Sequence, residues 1–293
     1  MFLFDPNLTN ILRDILPGAG EFFKVITELG SEMFYIALLL VGYWSFRKRE
    51  SILTIFVLLV SVVSNYWLKL AIANPRPEGV LYPGYQMAEG YSTPSGHAQN
   101  SMTLFGWFSL KVRTWWMILS SVVLVTLIGL SRVYLGVHYV GDVISGWAIG
   151  LLTVILLVYL EKPLEETLSR YKTEHLYTIL FIVGLVMMVV ATHVVPLPPS
   201  DNFGALGGLM MGVAVALPLE KRYVGFSTDV TTPRRIVRAV VGLVIVFAVM
   251  FGLAALISST DPITYAWLRV LRYSVVALVG GFVWPAIFKK ISL

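Results

Sequence analysis

The chain has 293 residues, 57% of them hydrophobic and 13% charged. That is about half the charged share of an ordinary soluble domain and marks an integral membrane protein. Its 22 basic residues outnumber 17 acidic ones but stand in short blocks between apolar runs, the pattern of orientation signals and not of a nucleic-acid surface. With no cysteine, disulfides, thiol catalysis and thiolate metal sites are excluded.

The chain starts Phe2, Leu3, Phe4, Asp5 without a basic stretch, so no cleaved signal peptide is expected. From 5 to 29, Leu8, Ile11, Leu12, Ile15 and Leu16 alternate with Asp5, Arg13 and Asp14 at helical spacing. This spacing predicts an interfacial amphipathic helix on the outer leaflet, ended by Pro17 and Gly18. Nine stretches then approach the roughly 20 apolar residues of a spanning helix: near 31–46, 51–73, 97–111, 114–131, 143–160, 176–195, 203–219, 236–258 and 265–288. The expected fold is therefore an all-α, polytopic membrane helix bundle of about nine transmembrane helices. The third stretch opens on Gln99, Asn100 and Ser101, a polar turn expected to line a wet cavity. Gly204, Gly208 and Gly212 recur every four residues in the seventh, a small-residue face for close helix approach. Trp67, Trp107, Trp115 and Trp116 fall near span ends, as an aromatic belt does.

Basic residues set the direction of insertion. In the nine-helix reading fifteen of the 22 fall on one side, in the blocks Arg47 to Arg49, Lys111 and Arg113, Lys162 to Lys172, Lys221 and Arg222, Arg234 to Arg238, and Lys289 and Lys290. The expected N-terminus is outside and the C-terminus cytoplasmic. One helix fewer before residue 74 would invert this.

Three polar clusters interrupt the apolar pattern, and all fall on the non-cytoplasmic face. In KLAIANPRP, Lys69 and Arg76 are seven apart, so a continuing helix would put both on one face; Pro75 and Pro77 hold Arg76 extended. They fit either a phosphate grip or snorkelling cations. In PSGH, Thr93 and Ser95 are good N-cap residues and Gly96 leaves room for close approach. The helix start at His97 or Ala98 then offers N–H groups to an anion with an imidazole at the rim, the alternative being a structural histidine. In SRVYLGVHYVGD, His138 and Asp142 are four apart, the spacing at which a carboxylate can orient an imidazole and leave its other nitrogen nucleophilic. Arg132 adds a planar fork for phosphate oxygens. The alternative there is an Arg132–Asp142 ion pair beside a packing histidine. Isolated His175 and His193 read as surface or packing residues. Arg269 and Arg272, with Asp261 nearby, fit snorkelling cations or contacts to a second phosphate or an acidic lipid.

The three clusters, in this order and spacing, resemble the type 2 phosphatidic acid phosphatase superfamily, which also holds vanadium haloperoxidases and glucose-6-phosphatase. LGSEMFYI at 29–36 and the YSTPSGHA run are more weakly similar to sphingosine-phosphate phosphatases. The resemblance covers 31–160, which it marks as the catalytic core, with 1–30 an interfacial segment and 161–293 further transmembrane helices of unassigned role in the same membrane domain. It implies that Lys69, Arg76 and Arg132 hold phosphate with Ser95 and the Gly96 amide. It further implies that His138 attacks phosphorus to form a phosphohistidine, Asp142 orients it, and His97 protonates the leaving oxygen, with no metal or cofactor. The expected substrate is a lipid phosphate or polyprenyl diphosphate, in the cell membrane or, in a eukaryote, the endoplasmic reticulum. The expected partners are that substrate and membrane lipids, without nucleic acid. Asp142 leans away from glucose-6-phosphatase, whose sugar-phosphate chemistry is the alternative. A lipid-phosphate binding or transport protein is the second.

Overall fold

Apolar runs between proline, glycine and charged breaks become helices throughout the computed structural model, which describes residues 2–87, 90–194 and 201–293. Among those residues there is no strand. The helices are α1 (Asn7–Ile15), α2 (Gly20–Glu28), α3 (Glu32–Ser45), α4 (Lys48–Ile72), α5 (Gly96–Val112), α6 (Trp115–Tyr134), α7 (Val140–Leu168), α8 (Thr173–Val189), α9 (Asp201–Leu219), α10 (Thr232–Leu256), α11 (Pro262–Leu278) and α12 (Trp284–Lys290). π-Helical turns at Val190–Val194, Glu220–Val224 and Val279–Val283 extend α8, α9 and α11. The chain forms two compact units, Met1–Ile36 with Thr54–Glu161, and Ala37–Leu53 with Lys162–Leu293.

Each of the nine expected stretches lies on a helix, although the sixth was expected to end at residue 195, outside the described residues. The number of spans is a separate matter. Among the described residues seven helices are long and apolar enough to cross a membrane, eight if α2 and α3, bent by 45°, make one span. The shortfall is geometric: α3 has 14 residues and α5 has 17. At about 1.5 Å per residue neither matches a hydrocarbon core about 30 Å thick.

In the first unit the N-terminal segment breaks after α1, before Pro17 and Gly18, and resumes as α2. Ile11, Ile15, Phe22 and Val25 are exposed apolar side chains, as an interfacial element requires. The other side of the segment is anchored to the end of α6. Arg13 donates to the Tyr134 carbonyl (2.7 and 2.9 Å) and the Val80 carbonyl (2.7 Å), and the Tyr134 hydroxyl donates to the Leu16 carbonyl at 3.0 Å. Phe23 packs with Tyr134, Leu135 and Val137 in a buried cluster.

The polar start of α5 does not line open water. Gln99 is fully buried, receives a bond from Asn65 on α4 (2.9 Å) and donates to the Ser61 carbonyl (2.9 Å); Ser61 donates to Asn100 at 2.8 Å. Buried amides satisfied in this way lock two helices in register. α7 lies close against α5, because a Cβ at Gly146 would stand 2.7 Å from the Ser95 carbonyl oxygen and one at Gly150 2.5 Å from that of Gln99. The turn after α6 depends on Gly136, whose φ is +74° and where any Cβ would lie 1.9 Å from the Val80 oxygen.

The second unit is built on the glycine face expected from sequence. Cβ atoms at Gly204, Gly208 and Gly212 would lie 2.4 to 2.6 Å from Ala266, Val270 and Ala277 of α11. Backbones at this separation gain dispersion contacts, the main attraction between helices in lipid. Buried Glu220 pairs with Lys48 at 2.7 Å and accepts from the Phe226 amide at 3.1 Å. Trp44 donates to the Gly280 carbonyl (2.8 Å) and Trp284 to that of Arg238 (3.0 Å). Arg269 is buried on α11 among Tyr265 and Tyr273, while Asp261 caps that helix by accepting from the Thr264 amide at 2.9 Å. His175 and His193 are exposed. Trp115 and Trp116, at the start of α6 in the first unit, are exposed and stacked on each other.

Candidate active site

All eight site residues expected from sequence lie in the first unit. They come from four places: the end of α4, the 73–95 loop running into α5, the end of α6, and the α6–α7 junction. His138 sits just before α7 and Asp142 in its first turn, so the four-residue spacing acts across a loop-to-helix junction. His138 is 3% exposed and Asp142 fully buried. The His138 Nδ1 lies 3.3 Å from Asp142 Oδ2 and 3.2 Å from Ser92 Oγ.

The opposite nitrogen fixes the tautomer. Arg76 Nη1 lies 3.3 Å from His138 Nε2, and a guanidinium can only donate. Nε2 therefore accepts with its lone pair, and the ring proton is on Nδ1, facing the carboxylate. This assignment follows from the partners. Burial first, then the charges of Lys69, Arg76 and Arg132, holds the His138 ring well below the usual imidazole range, so the ring stays neutral. Asp142 is held in turn by donation from Ser92 and Thr93 and from the Tyr139 amide at 2.8 Å.

Arg76 does not reach the site on a continued helix. α4 ends at Ile72 and Ala73 has a φ of +51°, because Pro75 and Pro77 cannot extend a helix. The loop carries Arg76 back, bonded to the carbonyls of Val137 and Gly90, both at 2.9 Å. Burial, then repulsion from Arg132, lowers its guanidinium to about 10, which leaves it charged at neutral pH. Lys69, in the last turn of α4, donates to the Tyr91 (2.5 Å) and Ser92 (3.0 Å) carbonyls, tying the helix to the strand of loop that precedes PSGH.

Ser95 occupies the N-cap of α5 with extended backbone, but its side chain makes no capping bond. Its Oγ is buried without a partner among the described residues. The hydroxyl thus keeps its full capacity for a ligand oxygen. Gly96 opens the helix with Asn65 Oδ1 standing 3.2 Å from where a Cβ would be. His97 is partly exposed, and Arg132, His138, Lys69 and Arg76 all lie near enough to act on it electrostatically. Arg132, 3% exposed, donates through Nη1 to Thr27 Oγ1 (2.7 Å) and the Tyr85 hydroxyl (2.9 Å), while its Nε is buried without a described partner. It makes no ion pair with Asp142, so the ion-pair alternative is not what forms.

Sequence reasoning missed Ser92, Asn74, Thr27 and Tyr85 and gave Thr93 only a capping role. Asn74 donates to Thr93 (2.8 Å) and its carbonyl accepts from the Ser92 amide (2.8 Å). Ser92 and Thr93 adjoin PSGH and could have been flagged as polar neighbours. Nothing in the spacing points to Thr27 or Tyr85. The assembled group offers two imidazoles, one oriented carboxylate, three cations and an unpartnered hydroxyl, a set suited to holding a phosphoryl dianion beside a neutral nucleophile.

Comparisons with known proteins agree in kind. Residues 50–165 match the model of the PAP2 superfamily, and 204–293 match that of the PAP2 superfamily phosphatase transmembrane extension. Phosphatidylglycerophosphatase B of Bacillus subtilis is 31% identical over 53% of this chain and 80% of its own length. Undecaprenyl-diphosphatase of Sulfolobus acidocaldarius is 30% identical over 49% and 74%. Sphingosine-1-phosphate phosphatase 1 of mouse is 28% identical over 54% of this chain but only 38% of that protein. Among solved structures, a transmembrane PAP2 type phosphatidylglycerolphosphate phosphatase from Bacillus subtilis aligns with a TM-score of 0.47 at 27% identity, covering 57% of this chain and 87% of that one.

Proposed function

The chain belongs to the PAP2 superfamily, and the relatives it matches are named as phosphatases; on that premise we propose that it hydrolyses a lipid phosphate or polyprenyl diphosphate through a phosphohistidine. The observation that carries this reading is the His138 ring, protonated toward Asp142 and presenting its Nε2 lone pair beside Arg76.

In the first step Nε2 attacks phosphorus, a P–N bond forms and the P–O bond to the leaving alcohol or lipid phosphate breaks, while His97 gives that oxygen a proton. In the second, His97 takes a proton from water, whose oxygen attacks phosphorus and breaks the P–N bond, releasing inorganic phosphate and restoring neutral His138. Lys69, Arg76, Arg132 and Ser95 hold the equatorial oxygens as charge redistributes. The Nδ1 proton stays on the ring, where Asp142 stabilises the cation formed on phosphorylation.

The substrate class rests on the apolar setting and on the names of the relatives, which include phosphatidylglycerophosphatase and undecaprenyl-diphosphatase. The distribution of basic residues supports a site on the extracytoplasmic or lumenal face, with N-terminus outside and C-terminus cytoplasmic, on a reading in which the bent α2–α3 pair and the short α5 complete nine crossings. We retain 31–160 as the catalytic part and 161–293 as accessory helices.

Phosphate release from phosphatidate, a sphingoid phosphate, polyprenyl diphosphates and a sugar phosphate, measured on the purified chain and its His138→Ala variant, tests the reading. Turnover of lipid substrates that vanishes in the variant is expected. Turnover of the sugar phosphate alone would overturn the substrate class, and release by His138→Ala would overturn the mechanism.

A further inference from the structure

We propose that Thr27 and Tyr85 are positioning residues for Arg132, setting the plane of its guanidinium so that the Nε edge meets the substrate phosphate; this rests on the phosphatase reading. Both hydroxyls accept from the same nitrogen, Nη1, at 2.7 and 2.9 Å. A guanidinium is planar and rigid, so two bonds on one nitrogen fix its orientation about the side-chain stem. The Tyr85 ring lies beside the group as well, 5.9 Å from the guanidinium carbon to the ring centroid. Nε, buried with no described partner, retains its donor capacity.

The chemistry of the two holders matters. Arg132 stands in a field shared with Lys69 and Arg76, and a carboxylate in place of either hydroxyl would pair with it and compete with the incoming phosphate. Hydroxyl oxygens accept without adding negative charge, so the two direct holders fix the arginine without neutralising it, while Glu28 acts on it only through space. Thr27 is fully buried in the last turn of α2 and lies outside residues 50–165, which match the superfamily model. Three residues on, a Cβ at Gly30 would come within 2.9 Å of His97 Cδ2. The end of α2 therefore forms a wall touching both a phosphate-binding residue and the residue assigned to the leaving oxygen.

The test uses the full chain in detergent, with two readouts: KM and kcat on a lipid phosphate, and the concentration of orthovanadate that raises the melting temperature, which needs no turnover. Thr27→Val and Tyr85→Phe are each expected to raise KM and weaken orthovanadate about tenfold or more, the usual effect of losing a hydrogen bond to a charged group. Thr27→Ser recovers most of the loss, and Thr27→Val added to Arg132→Ala weakens orthovanadate no further. Unchanged orthovanadate affinity in both single variants would overturn the proposal. So would a Thr27→Val effect that persists in full with Arg132→Ala, or a Thr27→Ser variant as weak as Thr27→Val. If Thr27→Val lowers the melting temperature without ligand, Tyr85→Phe, at a partly exposed position, carries the same comparison. A wild-type chain that binds orthovanadate yet releases no phosphate from any substrate defeats the phosphatase reading and leaves this one standing.

Discussion

The Asp142 carboxylate meets the Nδ1 edge of His138 at 3.3 Å across the junction where α7 begins, with three other donors on the same carboxylate. An amide there removes the charge that stabilises the ring, and an NH2 turned toward Nδ1 would oppose the tautomer that Arg76 favours. Asp142→Asn is accordingly expected to lower kcat by about a hundred- to ten-thousandfold, as for other orienting carboxylates, with a smaller change in KM. Phosphate release within tenfold of wild type would remove the tautomer argument.

With His138 as the proposed nucleophile, the acid limb of kcat/KM reports its titration in the free enzyme. Because burial and three cations depress the His138 pKa, the ring remains neutral as pH falls through 6.5, and the acid limb should lie well below that value. Arg76→Gln removes one depressing charge, so the pKa rises toward the ordinary imidazole range and the limb moves to higher pH. A pH–rate profile on both proteins checks the sign; a shift to lower pH is the contrary result.

Gly30 supports His97 through the absence of a side chain. A methyl group there would stand 2.7 Å from Ile128 and 2.9 Å from the His97 ring, and the ring would have to move. With His97 acting on the leaving oxygen as proposed, Gly30→Ala should lower kcat about ten- to a hundredfold, the scale of a small misplacement, while KM changes little. A poorly leaving lipid alcohol should be affected more than a diphosphate, whose leaving phosphate needs less protonation.

In the proposed mechanism Lys69, Arg76 and Arg132 supply the positive charge that divalent ions bring to phosphoryl transfer elsewhere. EDTA should leave turnover unchanged, and orthovanadate, a mimic of five-coordinate phosphorus, should inhibit competitively. Loss of activity in EDTA that magnesium or zinc restores is the opposing outcome.

In the second unit, a Cβ at Gly208 would lie 2.4 Å from the Val270 carbonyl oxygen, and backbone cannot yield as a flexible side chain does. Gly208→Leu should force α9 from α11 and destabilise the protein by about 1–3 kcal/mol or more, read as a lower melting temperature in detergent. Gly252, with nothing within 4 Å of its Cβ position, is the control.

The sequence is read most directly where chemistry is dense and local. His138 and Asp142 were legible from their spacing, PSGH from its capping pattern, and the Gly204, Gly208, Gly212 face from its period of four. Arg76 was legible as a residue but not by its route, because the turn at Ala73 replaces the helical continuation that its spacing suggested. Thr27 and Tyr85 were invisible, since a lone hydroxyl has no pattern and its partner lies 105 and 47 residues away. The polar start of α5 reads as cavity lining in one dimension, but its amides find their partners on α4, and only the three-dimensional pairing shows which.

The bond from Arg132 to Thr27 also orders events during biosynthesis. Residue 27 leaves the ribosome long before residue 132, with α4 and α5 made in between, so the pair can close only as a long-range contact. His138 and Asp142 follow later still. A nascent chain therefore carries scattered fragments of a catalyst and no working one until the helices have docked.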